Sequence, residues 1–191
     1  MTDSRRPAAF LDRDGTIIHD AEYLGDPSCI RMLRGAPAAI ARLNAAGMPV
    51  IVVTNQSGIA RGLLTADDYE RVRQRLDQML TTAGARVDAT MMCPHHPDFT
   101  GPCECRKPGV LLYEQAAAAH GLDLARSAYV GDRWRDVAPA VHFGGRGFLL
   151  RSGAASDDDF ARAERAPRME IVDSLRHAVD RLLATEFAQA A

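Results

Sequence analysis

Five short apolar runs, at residues 8–11, 49–53, 87–92, 127–130 and 147–150, are rich in Val, Ile, Leu and Met and do not alternate with polar positions. Unbroken apolar strands of this kind belong to a sheet covered on both faces. Between the runs, apolar and polar residues recur at helical spacing over 36–46, 65–83, 110–120 and 135–143. Each of these segments is followed by a glycine, Gly47, Gly84, Gly121 and Gly144, suited to a helix C-terminus. Thr65 with Asp68 three residues later reads as an N-cap and an acidic first turn. The β-α repetition predicts a mostly parallel sheet with right-handed crossovers, a single doubly wound α/β domain. Residues 152–167 are small, acidic and helix-poor in pattern and are expected to form a surface segment. A short strand near Ile171, an amphipathic helix over 174–184 and a fraying tail over 185–191 follow.

Composition narrows this picture. The 191 residues are assigned to one domain, 1–191, with the sheet core over about 8–151. A hydrophobic content of 47% and a charged content of 25% fit a globular chain. The formal charge of −2 gives no broad basic surface for nucleic acid or anionic membrane, so any anion site must be local. Neither a signal-like segment nor a membrane-spanning run is read, which leads to the expectation of a cytoplasmic protein, taken to be a monomer.

In open α/β sheets ligands bind beyond the carboxyl ends of the strands, and the chemistry-bearing residues fall there. The first strand delivers Asp12-Arg13-Asp14-Gly15-Thr16. Two close carboxylates resist joint ionisation unless a cation lies between them or one keeps its proton, as a magnesium site with a separate acid/base would require. An Asp-rich turn is the plainer reading of this motif alone. The second strand ends in Thr54-Asn55-Gln56-Ser57-Gly58, small hydrogen-bonding groups able to cradle phosphate and, taken alone, equally able to form a capped turn. The fourth ends in Gly131-Asp132-Arg133-Trp134-Arg135-Asp136, where Asp132, read as an exposed carboxylate, completes the metal site begun by Asp12. Lys107 lies just before a predicted helix, with Pro108 at its opening, and could reach a phosphate as a point charge, although by itself it reads as a surface lysine.

Asp-Arg-Asp-Gly-Thr after strand one, Thr54 after strand two, Lys107, and Gly-Asp with Asp136 resemble the four ordered motifs of the haloacid dehalogenase (HAD) superfamily. The resemblance implies that Asp12 attacks phosphorus and that Asp14 protonates the leaving alkoxide and then activates water. It implies magnesium held by Asp12, the Asp14 carbonyl and Asp132. Thr54 and Lys107 would stabilise the transferring phosphoryl group, with Asp136 positioning Lys107 by an ion pair.

Cys93, His95, Cys103 and Cys105 form a Cys₃His set over 93–105 with spacing able to close a tetrahedron around structural zinc, and His96 is the alternative fourth ligand. Metal closure there would fix where the adjacent Arg106 and Lys107 point. Cys-Pro-His-His-Pro, Cys-x-Cys-Arg-Lys-Pro and Thr-Asn-Gln-Ser-Gly-Ile-Ala-Arg-Gly are similar to the bacterial D,D-heptose 1,7-bisphosphate phosphatases. That resemblance implies removal of a 7-phosphate from a sugar bisphosphate without a large cap domain, with Asp20, Tyr23, Asn55, Gln56, Ser57, Arg106 and Arg133 contacting substrate. The short stretch between His95 and Cys103 departs from many heptose enzymes and keeps the related histidinol-phosphate phosphatases as an alternative. A catalytically silent, zinc-stabilised binding module is the non-enzyme alternative, against which retention of both Asp12 and Asp14 argues. Trp134 could line the pocket or pack beneath a helix, and Cys29 is given no role.

Overall fold

A computed structural model describes residues 5–151 and 153–189. Six strands form one parallel sheet: β1 (Ala9–Leu11), β2 (Val50–Asn55), β3 (Ala89–Cys93), β4 (Ala128–Gly131), β5 (Arg146–Leu150) and β6 (Met169–Val172). Their spatial order is β3-β2-β1-β4-β5-β6, with Phe10 in register with Ile51 on one side and Tyr129 on the other. The sheet therefore grows outward in two directions from β1. The crevice where the direction reverses lies at the carboxyl ends of β1, β2 and β4, which carry the three acidic or hydroxylic motifs.

The absence of alternation in the strands has a direct cause. Ala9, Leu11, Val50 and Val52 face one layer, made by α1 (Ala36–Ala45), α2 (Ala66–Thr82) and α7 (Leu175–Gln189). Ala8, Phe10, Ile51 and Val53 face the other, with Leu112, Tyr113 and Ala116 of α4 (Leu111–His120) and Ala140 of α5 (Trp134–Phe143). On this second side Phe10 stacks on Tyr129 at 5.2 Å between ring centroids. The central strands β1, β2 and β4 are covered on both faces, so their positions are apolar up to the Thr54-Asn55 end of β2.

The helix ends carry the signals read from the sequence. Gly121 and Gly144 cap α4 and α5 in the left-handed conformation. Thr65 and Asp68 form a reciprocal capping box at the start of α2.

Three expectations need correction. Residues 152–167 are not helix-free: α6 (Asp157–Arg165) begins at a capping box between Ser156 and Asp159, where the side chain of Ser156 accepts from the Asp159 amide. The Ser-x-x-Asp signal was present, but the small, acidic composition obscured it. Phe160 and Ala163 of this helix pack with Val137, Leu149 and Trp134, and the Trp134 amide donates to Asp159 Oδ1 at 2.8 Å. Helix α7 extends past residue 184 to Gln189, while residues 190 and 191 of the expected fraying tail lie outside the described residues. Helix α4 starts at Leu111 with Val110 as its N-cap, so Pro108 precedes the helix rather than opening it. No helix among the described residues is long and apolar enough to cross a membrane.

Candidate active site

The amide of Asp12 donates to the carbonyl of Val130 at 2.9 Å, continuing the β1–β4 ladder by one bond and fixing the Asp12 side chain at the sheet's edge. Lys107, 95 positions later, meets it there: its Nζ lies 2.6 Å from Asp12 Oδ1, 2.7 Å from Asp136 Oδ1 and 2.7 Å from the Val53 carbonyl. The ammonium is buried, and the two carboxylates hold it firmly protonated against that burial. Asn55 fixes the lysine's main chain from both sides, accepting from the Lys107 amide at 3.0 Å and donating to its carbonyl at 3.2 Å.

The buried carboxylates Asp12, Asp132 and Asp136 bring ligand atoms within 4.8 Å of one another. Asp132, at 3% exposure, is not the exposed carboxylate expected from the sequence. Its Oδ2 accepts from the Ala154 amide at 2.9 Å, and it is enclosed by the backbones of Gly15 and Gly153. A Cβ at Gly15 would lie 2.0 Å from Asp132 Oδ2, and one at Gly153 would lie 2.1 Å from Asp132 Cβ, so both positions demand glycine. Burial raises Asp12 to about 8 despite the Lys107 ammonium beside it, with Asp136 and Asp14 adding to the rise. Asp132 is also raised, first by burial. An ionised Asp12 beside an ionised Asp132 at neutral pH needs more positive charge than Lys107 gives, and this donor set fits a divalent cation.

Asp14 is held differently. Its oxygens take bonds from the Arg13 guanidinium and from Gln56 Nε2 at 2.9 Å, and the same Gln56 nitrogen donates to Thr54 Oγ1 at 2.8 Å. Around these groups a cleft of about 350 Å³ is lined by Asp12, Asp14, Asp20, Tyr23, Asn55, Gln56, Ser57, Arg106, Lys107, Asp132 and Arg133, among others. Asp20 is shifted upward, first by partial burial and then by Asp14, against the pull of Arg133, Arg135 and Arg13.

Cys93, the last residue of β3, meets His95, Cys103 and Cys105. The Sγ atoms of Cys103 and Cys105 are 3.5 Å apart, those of Cys93 and Cys103 3.8 Å, and those of Cys93 and Cys105 3.0 Å. A tetrahedral zinc with Zn–S near ~2.3 Å separates thiolates by about 3.8 Å, and no disulfide joins the cysteines. Of the two histidines, His95 Nδ1 lies 3.2 Å from Cys105 Sγ, whereas His96 Nδ1 accepts from the amide of Asp98 in α3 (Pro97–Thr100) and its residue lines the cleft. The Cys/His loop also reaches the cleft through Arg106, whose Nη1 donates to the His95 carbonyl at 3.2 Å.

Comparison with known proteins points to the same fold. The HAD-hydrolase-like family model matches residues 104–178. The D-glycero-β-D-manno-heptose-1,7-bisphosphate 7-phosphatase of Rhodopseudomonas palustris is 43% identical over 149 residues, 75% of this chain and 83% of its own. Its counterpart from Mesorhizobium japonicum is 38% identical over 175 residues, 88% and 81% of the two chains. The crystal structure of D,D-heptose 1,7-bisphosphate phosphatase from B. bronchiseptica, complexed with magnesium and phosphate, superposes with a TM-score of 0.84 at 33% identity, covering 94% of this chain and 99% of that one. This chain belongs to that family of HAD phosphatases.

Within the family's fold, the structure brings Asp12, Asp14, Asp132 and Lys107 together beyond the carboxyl ends of the strands, with Asp20, Tyr23, Asn55, Gln56, Ser57, Arg106 and Arg133 lining the same cleft. Thr54 and Asp136 sit beneath the cleft wall, holding Gln56 and Lys107 rather than lining the surface. Trp134 packs with Phe160 and Val137 and leaves the cleft. Sequence reasoning missed Arg13, Arg61, His96 and Arg135 as lining residues. Arg61 donates to the Tyr23 hydroxyl, its guanidinium 5.7 Å from the Tyr23 ring and 5.5 Å from that of Phe99. Tyr23 has φ 57, in the left-handed region uncommon for a non-glycine residue. The side chains of Arg13, Arg61, His96 and Arg135 belong to the Asp-Arg-Asp-Gly-Thr, Gln-Ser-Gly-Ile-Ala-Arg-Gly, Cys-Pro-His-His and Gly-Asp-Arg-Trp-Arg-Asp segments, but nothing local tells which way each of them turns.

Proposed function

We propose that this protein is a magnesium-dependent phosphatase that removes the 7-phosphate of D-glycero-β-D-manno-heptose 1,7-bisphosphate. The observation that carries the reading is the Asp12–Lys107–Asp136 triad set beside Asp132 in a cleft walled by Asp14, Gln56 and arginines. An Asp12 oxygen attacks phosphorus, the bond to the C7 oxygen breaks, and Asp14 gives its proton to that oxygen. Asp14 then takes a proton from water, whose oxygen attacks phosphorus, and the bond to Asp12 breaks to release inorganic phosphate. Lys107 and Thr54 stabilise charge on the transferring group, and Asp136 holds Lys107 in place. Magnesium, held by Asp12, Asp132 and the Asp14 carbonyl, would neutralise charge on the phosphoryl oxygens and keep Asp12 ionised. Cys93, His95, Cys103 and Cys105 would hold a structural zinc, since four protein ligands would leave it no open position.

The substrate assignment rests on the relatives' names together with three arginines of the cleft. Arg61, Arg106 and Arg133 suit a second anionic group better than the ammonium and imidazole of histidinol phosphate. The test is phosphate release with magnesium from both anomers of the heptose bisphosphate, histidinol phosphate, fructose 1,6-bisphosphate and simple monophosphates. A kcat/KM preference of about tenfold or more for the β anomer, ~1.4 kcal/mol of discrimination, is expected. Preference for histidinol phosphate overturns the substrate, and no release from any compound overturns the enzyme.

A further inference from the structure

Successive side chains of an extended strand point to opposite faces, so the residue between two reacting carboxylates is expected to turn away from both. Arg13 does not. The chain leaves β1 in a tight turn in which the Arg13 carbonyl accepts from the amides of Ile17 and Ile18 at 2.9 and 3.1 Å, and the side chains of Arg13 and Asp14 converge. Arg13 Nε lies 3.1 and 3.2 Å from the two Asp14 oxygens, and Nη2 lies 2.9 Å from Oδ2 and 3.1 Å from Oδ1. The guanidinium is 3% exposed and lies 5.6 Å from the centroid of the Tyr69 ring in α2, which backs it. Its remaining nitrogen, Nη1, has no hydrogen-bond partner among the described residues.

Burying a guanidinium is costly unless the geometry of its pairing is good, and here the polar contacts of the buried fork all go to one carboxylate, that of Asp14. Gln56 grips the same carboxylate from the other side, at 2.9 Å. A carboxylate seized from two directions by rigid donors has one place to sit. Asp14 lines the cleft from that place, one residue beyond the Asp12–Arg13 peptide.

We propose that Arg13 is a positioning residue for catalysis, fixing the Asp14 carboxyl where it serves the leaving oxygen and then the attacking water. The proposal rests on the acid/base role given to Asp14 above. It predicts a dependence on the leaving group. Cleaving the bond to a sugar alkoxide needs a proton at the departing oxygen, whereas 4-nitrophenolate leaves without one. Misplacing a catalytic group by about 1 Å costs on the order of 100-fold, within the usual contribution of a general acid.

The experiment compares kcat/KM for the heptose bisphosphate and for 4-nitrophenyl phosphate in three variants, with melting curves to establish that each is folded. Arg13→Met is expected to lose about 100-fold on the alkyl phosphate and less than about fivefold on the aryl phosphate. Asp14→Asn shows the same contrast, enlarged. Arg13→Lys keeps the charge without the fork and falls between wild type and Arg13→Met; should the Met variant not fold, the Lys variant carries the comparison. Equal losses on both substrates, or none, while Asp14→Asn keeps its contrast, overturn the role of Arg13 alone. No contrast in Asp14→Asn overturns the acid/base assignment and the proposal with it.

Discussion

Gly153→Ala tests the placement of Asp132 with a single methyl group. The added Cβ would sit 2.1 Å from Asp132 Cβ and 2.3 Å from its Oδ2, where ordinary contact begins at 3.4 Å, so about 1.3 Å must be found. Asp132 cannot retreat, because the Gly15 backbone closes the opposite side, where even a Cβ would meet Oδ2 at 2.0 Å. Two responses remain. The carboxylate swings away from Asp12, or the loop after β5 moves outward and breaks the 2.9 Å bond from the Ala154 amide. Either displaces one of the proposed metal-holding carboxylates by about 1 Å, which costs roughly 10- to 100-fold in metal affinity and a comparable factor in turnover at fixed magnesium. Overpacking of this kind destabilises by about 1–3 kcal/mol, a fall in Tm of several degrees for a chain of this length. The assay is phosphate release titrated with magnesium, read as the half-saturating concentration. Gly25→Ala is the control, since a Cβ there meets nothing closer than 3.6 Å. If Gly153→Ala saturates within about twofold of the wild-type magnesium concentration with unchanged kcat/KM, either Asp132 does not hold the metal or this contact does not place it.

Asp12→Asn removes the nucleophile while keeping its shape, and phosphate release should disappear; appreciable residual turnover sinks the assignment. Cys103→Ala opens the Cys₃His set, and zinc measured by mass spectrometry should fall along with Tm, whereas unchanged zinc refutes the ligand set. Asp159→Ala removes the carboxylate that caps α6 and holds the Trp134 amide, and should destabilise by about 1–2 kcal/mol at pH 7 by urea unfolding. Asp159 is net depressed: partial burial pushes it up, but bonds from Ser156 and Trp134 and the nearby Arg133 pull it below the usual range. Its stabilisation is therefore full above the unfolded value near ~3.9 and is lost as pH falls through the folded one, so the gap between Asp159→Ala and wild type should narrow below about pH 4. A gap that stays constant to pH 2 would show that the ionised carboxylate is not what holds the helix.

Much of this protein is written locally. Strand and helix positions, the C-capping glycines and the parallel class follow from periodicity, because the central strands can be apolar without alternation only if both faces are covered, as Ala9 and Phe10 are by opposite layers. The DxDGT motif, Thr54 and the Gly-Asp pair were legible because their chemistry is concentrated at strand ends, and Lys107 because it precedes a helix in the order the family's motifs follow. The tertiary structure decided what sequence separation hides. Only the pairing of β1 with both β2 and β4 sets Asp12 beside Asp132, and only the path from β3 through the Cys/His loop brings Lys107 under both carboxylates. His95 and His96 are neighbours with identical chemistry, and loop geometry alone turns one to the thiols and the other to the cleft. Trp134 found its partners in α6, a helix hidden by its composition, and Arg13 and Asn55 acquired their work by reaching Asp14 and Lys107. A local pattern tells which face of an element is apolar; which distant side chain a polar group will meet is settled when the layers pack.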